Sequence, residues 1–128
     1  MDEFSIDLED LYDDSEEADA SWLQCRFQIR DLMGMEKLPD LQGILFSIGL
    51  QELGQLRDDF SKEERQDLMH IAVCRLLSYD GYFELVGYDD EGWPHWKLIE
   101  QPPKGRKAQE SLLKQKIQQY LKNVEESY

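Results

Sequence analysis

The chain has 128 residues, 41% of them hydrophobic, and a formal net charge of −14. That is one domain's length, with enough apolar material to bury a core without disulfide or metal staples. A field of this sign repels phosphate backbones and anionic bilayers, which excludes direct binding to nucleic acid or to a membrane surface and leaves a protein, or a second copy of the chain, as the expected partner.

The charge is unevenly placed. Residues 1–20 hold ten acidic side chains and no basic one, leaving 18 acidic against 14 basic side chains in the remainder. Cys25 and Cys74 are the only cysteines and have no CxxC spacing. With no basic-then-apolar start, they point to a reducing, cytoplasmic setting. No apolar run approaches the ~18 residues of a membrane span.

Residues 1–20 are too charged to repay their own ordering and are predicted to form a mobile acidic leader ahead of a single globular domain over residues 21–128. Within the leader, Phe4, Leu8 and Leu11 recur at helical spacing among acids, with Ile6 and Tyr12 alongside. Such a segment either serves as a solubilising tail or docks on a basic, apolar groove.

From residue 21, Trp22, Cys25, Ile29 and Met33 fall at helical intervals, although the alternation of Cys25, Phe27 and Ile29 leaves a short strand open. Gly34 ends the element in either case. Pro39 and Asp40 open a helix over residues 41–53 with Gly54 in the stop position. Its glycines, Gly43 and Gly49, and Ser47 weaken it as a helix, at about 1 kcal/mol for each glycine, so they predict close approach of a neighbouring backbone, that of residues 62–79. Glu52 is the one acid in line with Leu41, Leu45 and Ile48. It is either a carboxyl of raised pKa or one that reaches solvent or a cation such as Arg57.

Ser61 with Glu64 three residues on is a capping box, so a helix begins at Lys62 and runs to the turn at Asp80-Gly81. Leu68, Met69, Ala72, Val73, Leu76, Leu77 and Tyr79 spread over about half its circumference, wider than the ~100° stripe of a surface helix, which predicts packing on two sides. A hairpin follows. With Asp89-Asp90-Glu91-Gly92 as a four-residue loop, Tyr88 faces Trp93, Val86 faces His95, Leu85 faces Trp96, Glu84 faces Lys97 and Phe83 faces Leu98. Phe83, Leu85, Trp96 and Leu98 then lie on the helix, and Pro94 marks an edge strand.

After the breaking sequence Gln101-Pro102-Pro103-Lys104-Gly105, a last helix over residues 106–123 carries a one-sided stripe of Ala108, Leu112, Leu113, Lys116, Ile117, Tyr120, Leu121 and Val124. The expected fold is therefore α+β, four helices with one antiparallel hairpin between the last two. In outline this resembles a winged helix, yet the helix over residues 62–79 mixes Lys62, Arg65 and Arg75 with Glu63, Glu64 and Asp67, and the hairpin tip is acidic. DNA recognition is therefore disfavoured on charge.

Asp67, His70 and Cys74 lie along one edge of that helix and are the only candidate metal ligands, fewer than a transition-metal centre is usually built from. No catalytic constellation or phosphate loop is present, and no cofactor is expected. The more specific feature is the outward hairpin face, where Tyr82, Val86, Tyr88, Trp93, His95 and Ile99 exceed what a solvated strand needs, so that this face is either a protein contact site or is covered by the last helix. The expected function is a non-enzymatic interaction or regulatory module, bound through that face and through Phe4, Leu8 and Leu11. The alternatives are a small metal enzyme using Asp67, His70 and Cys74, or an acidic mimic of nucleic acid.

Overall fold

A computed structural model of the protein describes residues 20–55 and 57–126. Along the chain run α1 (Ala20–Met33), α2 (Leu41–Leu53), α3 (Lys62–Ser78), β1 (Phe83–Tyr88), β2 (Pro94–Leu98) and α4 (Arg106–Glu126). The fold is mixed α+β, four helices with one antiparallel two-stranded hairpin between the third and fourth.

The capping signals act as written. The Ser61 hydroxyl accepts from the Glu64 amide at 3.1 Å while the Glu64 carboxylate accepts from the Ser61 amide at 2.9 Å. Asp40 caps α2 by accepting from the Gly43 amide at 2.8 Å. The segment at residues 21–33, open between helix and strand, is helical, and it buries Trp22, Cys25 and Ile29.

Helices α2 and α3 form the centre of the domain, and the cause is Gly49. A Cβ at that position would meet the Leu68 backbone, with the carbonyl carbon only 2.6 Å away, so only glycine allows the two helices to approach this closely. The expected role of the small residues thus falls to Gly49. Gly43 instead lies against its own cap at Asp40 and Pro39, and the Ser47 hydroxyl donates to the Gly43 carbonyl at 2.9 Å.

The main core joins Trp22, Cys25 and Ile29 of α1 to Leu41, Ile44, Leu45 and Ile48 of α2, to the buried face of α3, and to Leu113, Ile117, Tyr120 and Leu121 of α4. Phe83 enters it from β1, and Trp96 and Leu98 pack on it from β2. A second, smaller cluster gathers Leu53, Phe60, Leu68 and Ile71, with Phe46, Leu50 and Trp93 against it. Together the two clusters apolar-line α3 on both sides, as its wide apolar arc requires. Ala108 departs from the expected α4 stripe and is exposed.

Candidate functional site

The hairpin begins in the expected register, with Phe83 opposite Leu98, Glu84 opposite Lys97 and Leu85 opposite Trp96. Between Leu85 and Gly87 the pairing then shifts by one residue. Gly87 faces His95 and Tyr88 faces Pro94, where Val86 opposite His95 and Tyr88 opposite Trp93 were expected. Val86 is the extra residue of a β-bulge, a device that re-aims the side chains beyond it.

The cause of the shift lies in Trp93. Its ring meets Phe60 edge-on, with centroids 6.4 Å apart and planes at 88°, and so joins the second core cluster. The connecting loop thereby grows to include Trp93. It is organised by Asp89, whose carboxylate accepts from the amides of Glu91 at 2.9 Å and Trp93 at 3.0 Å and lies 3.0 Å from His95 Nε2. The His95 contact, then the Trp93 and Glu91 amides, hold the Asp89 carboxyl below its ordinary range. From outside the hairpin, the Gln55 side-chain amide donates to the Glu91 carbonyl at 2.8 Å.

The outward aromatic face is accordingly smaller than the sequence suggests. Trp93 is half-buried, and Tyr82 packs against the main core. The reason for Tyr82 is the end of α3, where the Tyr82 amide donates to the Leu77 carbonyl at 3.1 Å and the Gly81 amide to the Ser78 carbonyl at 3.1 Å, with Gly81 at φ +83°. That paired pattern stops a helix and folds the residue after the glycine back onto the last turn. Tyr88 sits opposite Pro94, which is buried, and its phenol contributes to the field at Arg75.

On the solvent side of the ribbon stand Glu84, Val86, His95, Lys97 and Ile99, all exposed. Val86 is 68% exposed, Ile99 52%, and Tyr88, at the strand end, 61%. Helix α4 packs chiefly on α3 and α1, and this side of the ribbon stays exposed. Phe4, Leu8 and Leu11 lie outside the described residues.

Beside the loop, a cleft of about 380 Å³ separates it from α3, walled by Glu64, Asp67, His70 and Ile71 on the helix and by Asp89, Glu91, Trp93, Pro94 and His95 on the hairpin. Both histidines reach this cleft. Cys74 does not: it is buried, its sulfur 3.8 Å from His70 Nδ1, and burial pushes its thiol up to about 12. Burial also lowers His70, against the opposing charge of Asp67. Asp67, His70 and Cys74 therefore supply no convergent set, and among the described residues no three ligating side chains gather to hold a metal ion. A thiol so far from ionising at neutral pH is also a poor nucleophile.

Glu52 finds a partner other than Arg57. Its carboxylate accepts from Arg75 Nε at 2.8 Å and from the Tyr120 hydroxyl at 3.2 Å, while Arg57 pairs with Asp59 and Glu64. The Arg75 guanidinium also lies 4.9 Å from the Trp96 ring centre. Burial opposes the charge on Arg75, but the Glu52 hydrogen bond and charge, with smaller contributions from Tyr79 and Tyr88, leave its pKa raised. The Trp96 indole Nε1 is buried without a hydrogen-bond partner. The in-line position of Glu52 was the available signal for this polar network. Nothing in the local pattern named Arg75, 23 residues away.

Comparison of the chain with family models, with curated proteins and with solved structures gave no match.

Proposed function

We propose that this protein is a non-enzymatic interaction module that binds a partner polypeptide through the solvent side of its hairpin. Val86 and Ile99 are the apolar anchors, and the His95–Asp89 pair adds polar definition. The carrying observation is the exposure of two large apolar side chains, Val86 and Ile99, more than half exposed each, on the solvent side of the hairpin. Among the large hydrophobic residues described, Leu32 at 47% and Phe27 at 41%, both on α1, are the next most exposed after these two and Tyr88.

Two further features support this reading. A ribbon of two strands has an unpaired backbone edge on either side, which a third strand from a partner can join. The loop is also rigidly held by Asp89 and Gln55, so little ordering entropy opposes docking. The acidic tip favours a partner surface that carries basic groups around an apolar patch.

The test compares wild-type protein with a Val86→Ser/Ile99→Ser variant and a Phe27→Ser/Leu32→Ser control, by quantitative affinity capture and thermal melting. The hairpin variant is expected to melt like wild type and to lose its specific partner at least tenfold, while the control retains it. A hairpin variant that keeps every partner at wild-type level refutes the proposal.

A further inference from the structure

The carboxyl halves of three helices enclose a recess. It has a volume of about 100 Å³ and lies between the later turns of α1, α2 and α4, with Ile29, Ile48, Ile117 and Leu121 as its floor. Those four side chains are at most 6% exposed and belong to the main core, so the recess cuts into the interior instead of resting on the surface. Met33 and Val124, both half-buried, form its sides, and the exposed Leu32 and Gln51 mark its mouth.

The space follows from how α1 is attached. Its first half is fixed: the Lys114 ammonium lies 5.3 Å from the Trp22 ring centre, and Arg26 Nε donates to the Pro39 carbonyl at 2.7 Å. After Met33 the Met35 amide donates back to the Arg30 carbonyl at 2.9 Å with Gly34 at φ +67°, the pattern that closes a helix. Helix α1 therefore supplies no further turn to fill the room beside Ile48.

Protein cores hold few such spaces, because apolar walls that face no partner atoms forfeit their dispersion contacts. An apolar cavity of about 150 Å³ stays dry and takes up benzene, so a recess of this order suits a single ring. The chemistry of the walls narrows the guest. None of the described residues that line it is charged, and the Tyr120 hydroxyl already donates to Glu52 at 3.2 Å. An anion would meet both an apolar wall and the partial negative charge of three helix carboxyl ends. A cation would lose its hydration with no carboxylate in the lining to replace it. A neutral ring fits, and the helix ends with the Gln51 side-chain carbonyl favour a guest whose one polar group is a hydrogen-bond donor.

We infer that this recess is a ligand site for a small neutral aromatic molecule, its ring among Ile29, Ile48, Ile117 and Leu121 and its single hydroxyl or N–H group at Gln51. The site is independent of the hairpin, since its described walls come from α1, α2 and α4.

Methyl-resolved NMR titration of the full chain with toluene and with p-cresol tests it. Saturable shifts are expected at the methyls of Ile29, Ile48, Ile117, Leu121 and Val124, and none at those of Val86 and Ile99. In Val124→Phe, whose added ring occupies the recess, the toluene shifts should disappear at an unchanged or higher melting temperature. In Gln51→Leu, p-cresol should lose roughly threefold or more in affinity relative to toluene, as for one hydrogen bond. Methyls that stay unmoved up to the solubility limit of toluene overturn the inference, as does a Val124→Phe protein that still binds it. Should Val124→Phe melt below wild type, the wild-type methyl map alone decides. Shifts that follow protein concentration instead of guest concentration assign the recess to a second copy of the chain and overturn the inference too, and an unchanged affinity ratio in Gln51→Leu overturns the placement of the donor.

Discussion

Glu52, in the last turn of α2, and Arg75, near the end of α3, share a 2.8 Å ion pair that ties together the two helices at the centre of the domain. Tyr120 of α4 donates to the same carboxylate, and Trp96 of β2 lies under the guanidinium, so one pair reaches four elements. Both side chains are mostly withdrawn from solvent, at 19% and 29% exposure, so this pair is not a screened surface bridge. Arg75→Met is expected to destabilise by about 1–3 kcal/mol, because it strands a carboxylate that keeps only the Tyr120 hydroxyl. The Glu52→Gln/Arg75→Met double variant, measured by chemical denaturation, should recover part of that loss. Additive losses in the double-variant cycle would show that the pair is not coupled.

Gly49 and Gly43, six residues apart on α2, face directions about a third of a turn apart and differ in consequence. Gly49→Ala drives a methyl group into the Leu68 backbone, which cannot move as a side chain can, and is expected to cost roughly 3 kcal/mol or more. Gly43→Ala meets only Asp40 and Pro39 side-chain atoms at 3.3 and 3.4 Å and gains helix propensity, so a change within about 1 kcal/mol of zero is expected. Urea midpoints of the two variants check both; a tolerated Gly49→Ala contradicts the α2–α3 packing described above.

Much of this architecture is legible in the residues alone. Capping boxes and terminal glycines are local devices, and Ser61, Glu64, Asp40 and Gly54 all do what their spacing predicts. The first three hairpin pairs follow from alternation. What fails is the part that depends on distant packing. Trp93 leaves the outward face because Phe60, 33 positions earlier, offers an edge for its ring, and that one long-range contact moves Tyr88 by one register position. Tyr82 is missed for another reason, since a residue just after a helix-stopping glycine folds back on the helix before the strand alternation begins.

Trp93 and Val86 should therefore separate stability from binding. Trp93→Ala removes a ring from the second core cluster and is expected to cost about 2 kcal/mol, below the range for a fully buried tryptophan because Trp93 is half-buried. Val86→Ser, at an exposed bulge position, should leave stability within about 0.5 kcal/mol of wild type. Thermal denaturation of the two variants checks this, and a stable Trp93→Ala protein would contradict the cluster assignment.

Asp89 gives the loop a defined acid response. Its folded pKa is lowered by the His95 contact and by the Trp93 and Glu91 amides, so the stabilisation it brings is complete above the ordinary value of 3.8. It is lost as the pH falls through the lower folded value. The amide resonances of Glu91 and Trp93 should titrate with a shared midpoint below 3.8, and in Asp89→Ala that titration should vanish. A midpoint at or above 3.8 would mean that the carboxylate is not held by these donors.

The two thiols should be silent in the native protein. Burial pushes Cys25 up to about 11, with Glu125 adding to the effect, and Cys74 up to about 12. Thiolate is the reactive form, so modification by a disulfide reagent at pH 8 should proceed only as fast as the protein opens. Rapid native labelling of either cysteine would show that its side chain is not enclosed.

The position of α3 bears on the order in which the chain acquires its structure. It touches α2 before it and both strands after it, across short connections, whereas α1 and α4 meet only through a closure that spans most of the sequence. Local partners are cheap to bring together and remote ones costly. A chain still emerging from the ribosome can thus assemble α2, α3 and the ribbon first, and completes the core around Trp22 only once α4 has been synthesised.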